Sequence, residues 1–419
     1  MHIIFYNIFL FLYRIGVRVA ALWNGKAKKW VRGRQDIFSK LELAFKDNNR
    51  PVVWMHCSSL GEFEQGRPVL EALRVQYPSH LFLLTFFSPS GYEVRKDYPG
   101  ADHIFYLPMD SRLNAKRFVD LAKPSLVLWI KYDYWYYYLS TLKKRGVPLL
   151  LVSGVFLPNM TFFKWYGRLH RYMLDCFTHL FIQTPESAEL LKPLSFLKHV
   201  TVAGDTRFDR VVQIASQFQR IEPIEQFCQG ATTIVAGSTW VEDDEELDHY
   251  ANAHPEIKFI IAPHEIDEER LEEMEKLYKR SIRFSTFKNN TLLPIDTNVL
   301  LIDNIGMLSK LYHYATITYV GGAFGEAGVH NVLEAAVYGK PVVFGPAYDW
   351  YVEAVDLVER EAAFTVESAV ELEELFNDLL ADQQWLKETG DAAKEYVFSK
   401  TGATQMIVGY VQENRLLTN

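Results

Sequence analysis

Two doubly wound α/β domains are what the sequence predicts, and three observations carry that expectation. Short apolar runs alternate with helical patterns from Val52 to Ala203, and the alternation restarts at Thr233 and continues to Phe344. Such alternation marks a parallel sheet covered by helices on both faces. A polar stretch without clear strands, residues 211–230, lies between the two series. A chain of 419 residues is also too long for one hydrophobic core. Ligands bind such sheets at the carboxyl ends of the strands, so the expected site is a cleft between the domains.

The chain opens with residues 1–35, read as a membrane-associated segment. Ile3 to Tyr13 is an apolar, aromatic run that Arg14 and Arg18 interrupt before it reaches the roughly 20 residues needed to cross a bilayer. A basic stretch follows (Lys26, Lys28, Lys29, Arg32, Arg34) with Trp23 and Trp30 beside it. A signal peptide has its charges ahead of the apolar region, so the order is wrong for one. An interfacial anchor fits: apolar face in the acyl boundary, aromatics at the headgroups, cations on anionic lipid. The alternative is a first helix packed on its own domain.

In the first domain, residues 36–210, the expected strands are Val52 to His56, Leu81 to Phe87, His103 to Leu107, Leu126 to Ile130, Leu149 to Val155, Leu180 to Gln183 and Val200 to Ala203. In the second, residues 231–396, they are Thr233 to Ala236, Phe259 to Ala262, Val299 to Ile302, Ile317 to Val320 and Pro341 to Phe344. After Phe364 the pattern is helical. The last helix, about Thr401 to Leu416 within the segment 397–419, is expected to pack back across the linker.

Composition narrows the function. The formal net charge of -8 argues against a nucleic-acid partner, which calls for a basic face and total. Three separated cysteines (Cys57, Cys176, Cys228) give neither a disulfide framework nor a zinc spacing, so a reducing compartment and no structural metal are expected. The 28 Phe, 23 Tyr and 9 Trp lie largely in the first half beside Lys and Arg, as suits something greasy and anionic.

The stretch Thr318 to Pro346 reads as a strand, a glycine-rich turn (Gly321, Gly322, Gly325, Gly328), a helix from about His330 to Tyr338 and a second strand. Glycines there let a ligand approach the backbone, and the following helix N-terminus favours a phosphate. Glu334 falls one turn after His330 and Asn331, so all three can line the cleft mouth, the carboxylate accepting ribose hydroxyls. The bland alternative is a βαβ core unit whose glycines only shape turns. The first strand ends in HCSSLGEFEQGRPVLEAL, with Glu62 expected in the loop before the helix. A carboxylate there points into the cleft, where partial burial raises its pKa towards use as a general base; the alternative is a helix N-cap.

In order along the chain, SSLGEFEQGRPVLEAL, GDTRFDR, AGSTWVEDDEE, DNIGMLSKLY and GGAFGEAGVHNVLEAAVYGKPVVFGP resemble the family of 3-deoxy-D-manno-octulosonic acid (Kdo) transferases of lipopolysaccharide biosynthesis. The resemblance implies a two-domain GT-B fold of two Rossmann-like domains and an inverting transfer of Kdo from CMP-Kdo to a lipid A precursor, with no cofactor. It implies Glu62 as general base and Asn331, Val332, Leu333 and Glu334 as the CMP-binding motif, with Gly306, Met307 and Leu308 a second CMP contact. Arg207 stands where the family usually has Lys, a cation for the transition state; Arg keeps the charge and adds a planar fork. Ser238 and Thr239 match a Gly-Ser-Thr turn, for which a helix N-cap is an equal reading.

Two segments depart from the family pattern. Its Pro-Arg-His-Pro-Glu-Arg is here APHEIDEER, so His264 is kept while Pro263 replaces Arg and one phosphate contact is in doubt. Its Glu-x-Glu before Trp is here KYDYW; Lys131 cannot accept hydrogen bonds as a carboxylate does, so either Asp133 takes over or Lys131 binds an acceptor phosphate or the sugar carboxylate. Pro158 to Met173 interleaves aromatics with Lys164, Arg168 and Arg171, read as core or as a lipid-phosphate patch. The acidic run Glu242 to Glu246 is read as a solvated helix start rather than a metal site. The expected partners are CMP-Kdo, the lipid A precursor and inner-membrane lipid at the cytoplasmic face. The rival readings are another enzyme of this fold, such as a UDP-sugar transferase or epimerase, and a catalytically inactive lipid-binding homologue.

Overall fold

A computed structural model describes residues 2–194, 199–289, 296–326 and 328–418. The chain divides into two compact units, residues 1–210 with 401–419, and residues 211–400. Each is built on one parallel sheet of seven strands.

The first unit begins with three helices, α1 (His2–Ala20), α2 (Gly25–Gly33) and α3 (Ile37–Phe45). Its strands are β1 (Val52–Cys57), β2 (Leu81–Phe86), β3 (His103–Tyr106), β4 (Pro124–Ile130), β5 (Leu149–Gly154), β6 (His179–Ile182) and β7 (Val200–Val202). They lie in the order β3-β2-β1-β4-β5-β6-β7, so the winding reverses between β1 and β4. Alternate residues of β1 enter opposite layers: Val52 and Trp54 pack with Phe118, Trp129 and Tyr138, whereas Val53 and Met55 pack with Phe63, Leu70 and Ile130. A strand buried on both faces is therefore apolar throughout, which is why the apolar runs locate the strands.

α4 (Leu60–Gln76) follows β1 directly, so Glu62 lies inside its first turn and not in a loop ahead of it. Gly66 allows this helix to press on the sheet: a Cβ there would stand 2.7 Å from Met55 Sδ and 2.9 Å from Ile130 Cδ1. The final helix, Ala403–Glu413, packs in the first unit, with Ile407 and Val411 in the same layer as Phe63 and Leu70.

The second unit carries β8 (Thr233–Thr239), β9 (Lys258–Pro263), β10 (Ser281–Arg283), β11 (Val299–Leu301), β12 (Ile317–Val320), β13 (Val342–Phe344) and β14 (Ala363–Thr365). Their order is β10-β11-β9-β8-β12-β13-β14, with the reversal between β8 and β12. β10 and β14 are edge strands without a counterpart in the sequence reading. The stretch read as a linker is mostly helical, holding the end of Thr206–Ser216 and all of Glu222–Cys228.

The helix expected over His330 to Tyr338 is only Leu333–Ala336. Its would-be first turn is committed elsewhere, since Val329 N donates to Ala347 O and His330 N to Gly321 O. Gly339, at φ +69°, closes it. Ala327 in the preceding turn lies outside the described residues.

Candidate active site

Glu62, Lys131 and Asp133 follow the carboxyl ends of β1 and β4, where the winding reverses and open α/β sheets bind ligands; Arg207 follows β7. Glu62 is buried, and its Oε2 accepts from Ser58 N. Burial first, and the Asp133 charge second, push its carboxyl up to about 7, against the Ser58 N–H and Lys131, which pull it down. The carboxylate thus caps its own helix and is also poised for proton transfer near neutral pH.

Lys131 turns the chain out of β4 with φ +56°, a left-handed backbone that is costly for a non-glycine residue and is concentrated at functional sites. Its ammonium lies 5.5 Å from the Tyr132 ring centroid. Arg207 Nε donates to Asp205 Oδ2 at 2.8 Å, and Arg207 N donates to Asp205 Oδ1 at 2.9 Å, so the carboxylate braces both the guanidinium and the backbone. The Tyr132 phenol is acted on by the charges of Glu62, Asp205 and Arg207 together. Glu62, Lys131, Asp133 and Arg207 therefore form one electrostatic cluster.

Beneath Asp133 runs a buried chain that the sequence reading did not single out. Trp54 Nε1 donates to Thr85 Oγ1 at 2.8 Å, and Thr85 Oγ1 lies 2.9 Å from His56 Nδ1. The indole can only donate, so Thr85 Oγ1 accepts from Trp54 and shares a hydrogen bond with His56 Nδ1, leaving the other imidazole nitrogen, Nε2. That atom faces Asp133 Oδ2 at 3.5 Å, too long for a good hydrogen bond, and finds no other partner. Asp133 Oδ2 also accepts from Trp135 Nε1 at 3.2 Å. The signal was a lone polar residue in each of two apolar strands, His56 paired in register with Thr85.

The basic segment divides on folding. Lys26, Lys28, Lys29 and Arg32 are exposed. Arg34 instead turns inward, donating to Leu107 O at 2.9 Å and Phe87 O at 2.7 Å and lying 3.8 Å over the Trp30 ring; burial lowers it to about 9. Arg171 is likewise structural, its guanidinium donating to Phe162 O and Lys164 O. Arg168 and Trp165 are exposed, Lys164 half-buried, and Phe162 is core.

One face of α1 is tied to this unit: Tyr6 Oη donates to Asp110 Oδ2 at 2.6 Å, and Tyr137 Oη donates to Asn7 Oδ1 at 2.8 Å. The rest of the helix exposes Ile4, Phe5, Phe11 and Leu12, each about 60% accessible. Among the described residues, Ile3–Ala20 is the one helix long and apolar enough to cross a membrane by length and composition. The two arginines do not shorten it below that length, because the helix continues through them to Ala20.

In the second unit, the remaining residues lie at or follow the carboxyl ends of β8, β9, β11 and β12. Gly322 has φ +98°, and a Cβ on Gly321 would stand 2.6 Å from Ser238 O. Asp243 fixes this turn, accepting from Trp240 N, Gly322 N and Tyr319 Oη. Asp244 pairs with Arg270 and accepts from Tyr278 Oη. Both carboxylates are fully buried; the run read as a solvated helix start is thus partly a brace, because each buried acid has its own donors. Ser238 repeats the left-handed backbone of Lys131, with φ +57°.

His264 follows Pro263 at the end of β9 and stacks on two rings, Trp240 at 4.6 Å and His330 at 4.5 Å, both nearly parallel to it. Trp240 Nε1 donates to His330 Nε2 at 3.1 Å, and burial with His264 lowers His330 to about 4, so His330 is neutral with its proton on Nδ1. Asn331 Nδ2 donates to Glu334 Oε1 at 3.0 Å, while Asn331 Oδ1 is buried without a partner among the described residues. Val332 and Leu333 are buried between these polar residues. Gly306, at φ +92°, and Met307 lead into a single helical turn, Leu308–Leu311, too short for much of a helix dipole. Among the described residues no three His, Cys, Asp or Glu side chains gather as a metal set.

Residues 35–210 match the family described as 3-deoxy-D-manno-octulosonic-acid transferase. A curated protein of that name from Aquifex aeolicus is 27% identical over 81% of this chain and 89% of its own length. The chain is thus similar to Kdo transferases over most of its length, and its first unit matches their family model. Another Kdo transferase, from Haemophilus influenzae, is 24% identical over 85% of each chain. Among solved structures, a UDP-GlcNAc 2-epimerase from Neisseria meningitidis, bound to UDP-GlcNAc, covers 86% of this chain and is itself covered completely, with a TM-score of 0.61 at 16% identity. The fold is thus GT-B, as the family resemblance implies.

Proposed function

We propose that the chain transfers Kdo with inversion from CMP-Kdo to a lipid A precursor, at the cytoplasmic face of the inner membrane. The observation that carries this reading is the buried Glu62 carboxyl, held near neutral pKa between Asp133 and Lys131 in a chain similar to Kdo transferases. Cleavage of the bond to CMP leaves an oxocarbenium-like centre on the sugar. Glu62 takes the proton of the acceptor hydroxyl as its oxygen bonds to that centre. Asp133, held by the His56 chain, orients the acceptor, and Lys131 and Arg207 supply positive charge for phosphate or the sugar carboxylate.

CMP is assigned to the second unit, to Gly306, Met307, Leu308, His264 and the run Asn331 to Glu334. Asn331 Oδ1, buried and unpartnered among the described residues, supports a ligand there. The fold shared with a UDP-GlcNAc 2-epimerase keeps a UDP-sugar enzyme as the second reading. Thermal shift separates the two: CMP is expected to stabilise the protein and UDP not, and the reverse would favour the second. Incubation with CMP-Kdo and a lipid A precursor should add the mass of Kdo to the acceptor.

A further inference from the structure

The first unit contains a cavity of about 560 Å³ that includes Asp133 and whose apolar lining none of the roles above uses. Phe5 and Phe9 of α1, Leu169, Met173, Tyr134 and Trp135 are among its lining residues. The volume lies in the roughly 300–1,000 Å³ range of small-molecule sites. Its lining is mostly aromatic and aliphatic, and two of its polar groups are already engaged, the Tyr6 hydroxyl with Asp110 and the Asp133 carboxylate with Trp135. That lining offers an apolar chain packing against aromatic and aliphatic side chains.

Two parts of the lining say which apolar chain. Phe5 and Phe9, 63% and 54% exposed, belong to the same helix as the bare Phe11 and Leu12. Asp133 also lines the cavity; it faces His56 and acts electrostatically on Glu62. We infer that this cavity receives one acyl chain of the acceptor lipid, drawn out of the bilayer so that the hydroxyl of its sugar lies beside Asp133 and Glu62. The inference rests on the transferase reading. A lipid tail is already out of water in the bilayer, so the cavity gains little affinity from it. Its effect is register: chain depth fixes the height of the sugar, and a displacement of about 1 Å at a reacting group costs on the order of a hundredfold in rate.

The test uses the full-length protein in phosphatidylcholine and phosphatidylglycerol vesicles, with a lipid A precursor carrying a diazirine at the end of one acyl chain. After irradiation, peptide mass mapping should place the label on Tyr134, Trp135 or residues 169–173. Label confined to the outer face of α1, at Phe11 and Leu12, would overturn the inference. A phospholipid with the same diazirine chain forms the second arm, and equal labelling of the cavity by it would show bulk lipid there, also overturning it. Leu169→Trp, which fills the cavity, should lower by at least tenfold the ratio of Kdo transfer to the acylated acceptor over transfer to its deacylated disaccharide phosphate. An unchanged ratio in a folded Leu169→Trp protein counts against the site, and the labelling of the unaltered protein decides if that variant fails to fold. If Kdo reaches the acceptor but the cavity stays unlabelled, the cavity assignment alone fails. If no Kdo is transferred to any acceptor, the transferase reading fails and the acceptor assignment with it.

Discussion

On the mechanism proposed above, Glu62 has a structural and a chemical role, and the two oppose each other as pH changes. Its carboxyl is raised from 4.5 to about 7, so the folded state favours the neutral form. The stability it contributes is complete below about pH 4.5 and is lost as pH rises through about 7. Catalysis needs the ionised form, so turnover should climb with pH through the same interval. Glu62→Gln should therefore abolish transfer yet raise stability by up to about 3 kcal/mol at pH 8 and not at pH 4, read as a higher Tm at pH 8 alone; a Tm gain equal at both pH values would contradict the burial argument. His56 is expected to act through Asp133. His56→Leu should reduce kcat at least tenfold with CMP affinity unchanged, and His56→Gln, whose amide can still donate towards Asp133, should recover part of it. Equal loss in both would make His56 merely a packing residue. Of these residues Glu62 was legible in the sequence from its place at a strand end. Asp243 and Asp244 were not, because an acidic run normally faces water and only the fold brings Gly322, Tyr319, Arg270 and Tyr278 to meet them.

Elements were legible where burial dictates composition. β1 and β4, apolar on both faces, stand out as runs, whereas β10 is three half-buried residues, Ser281–Arg283, at a sheet edge and leaves no such trace. The helix after the glycine-rich turn was expected too long because its residues have helical spacing, while the backbone N–H groups of Val329 and His330 are bound to other loops. Asn331 and Glu334 still meet, and Glu334→Ala should weaken CMP by roughly 1.5–3 kcal/mol, the range for a hydrogen bond to a charged group. Calorimetry with an unchanged Kd would make that residue structural. For α1, apolar burial is insensitive to salt, whereas attraction of Lys26, Lys28, Lys29 and Arg32 to anionic lipid fades as the Debye length falls from about 10 Å at 0.1 M to about 3 Å at 1 M. High salt should release the protein only partly from anionic vesicles. Replacing exposed Phe11 and Leu12 with Ser should make release complete, and salt-resistant binding by that variant would place the anchor elsewhere, with exposed Trp165 and Arg168 the next candidates.

On the scale of the whole molecule, the two sheets follow from two alternating series, but the return of the chain to the first unit at residue 401 is a long-range fact. Only the apolar face of the helix Ala403–Glu413 hints at it. The ordered motifs conveyed more than any single residue, since each alone has a bland reading and their sequence along the chain does not. The central claim joins that similarity to Kdo transferases to one carboxylate, and it is tested most directly by product mass. Wild-type protein and Glu62→Gln are each incubated with CMP-Kdo and a lipid A precursor in vesicles, with CMP affinity measured in parallel. The wild type should yield acceptor heavier by Kdo, and Glu62→Gln should yield none while binding CMP equally well. Transfer by Glu62→Gln at a rate close to the wild type, or no transfer by either, would contradict the account.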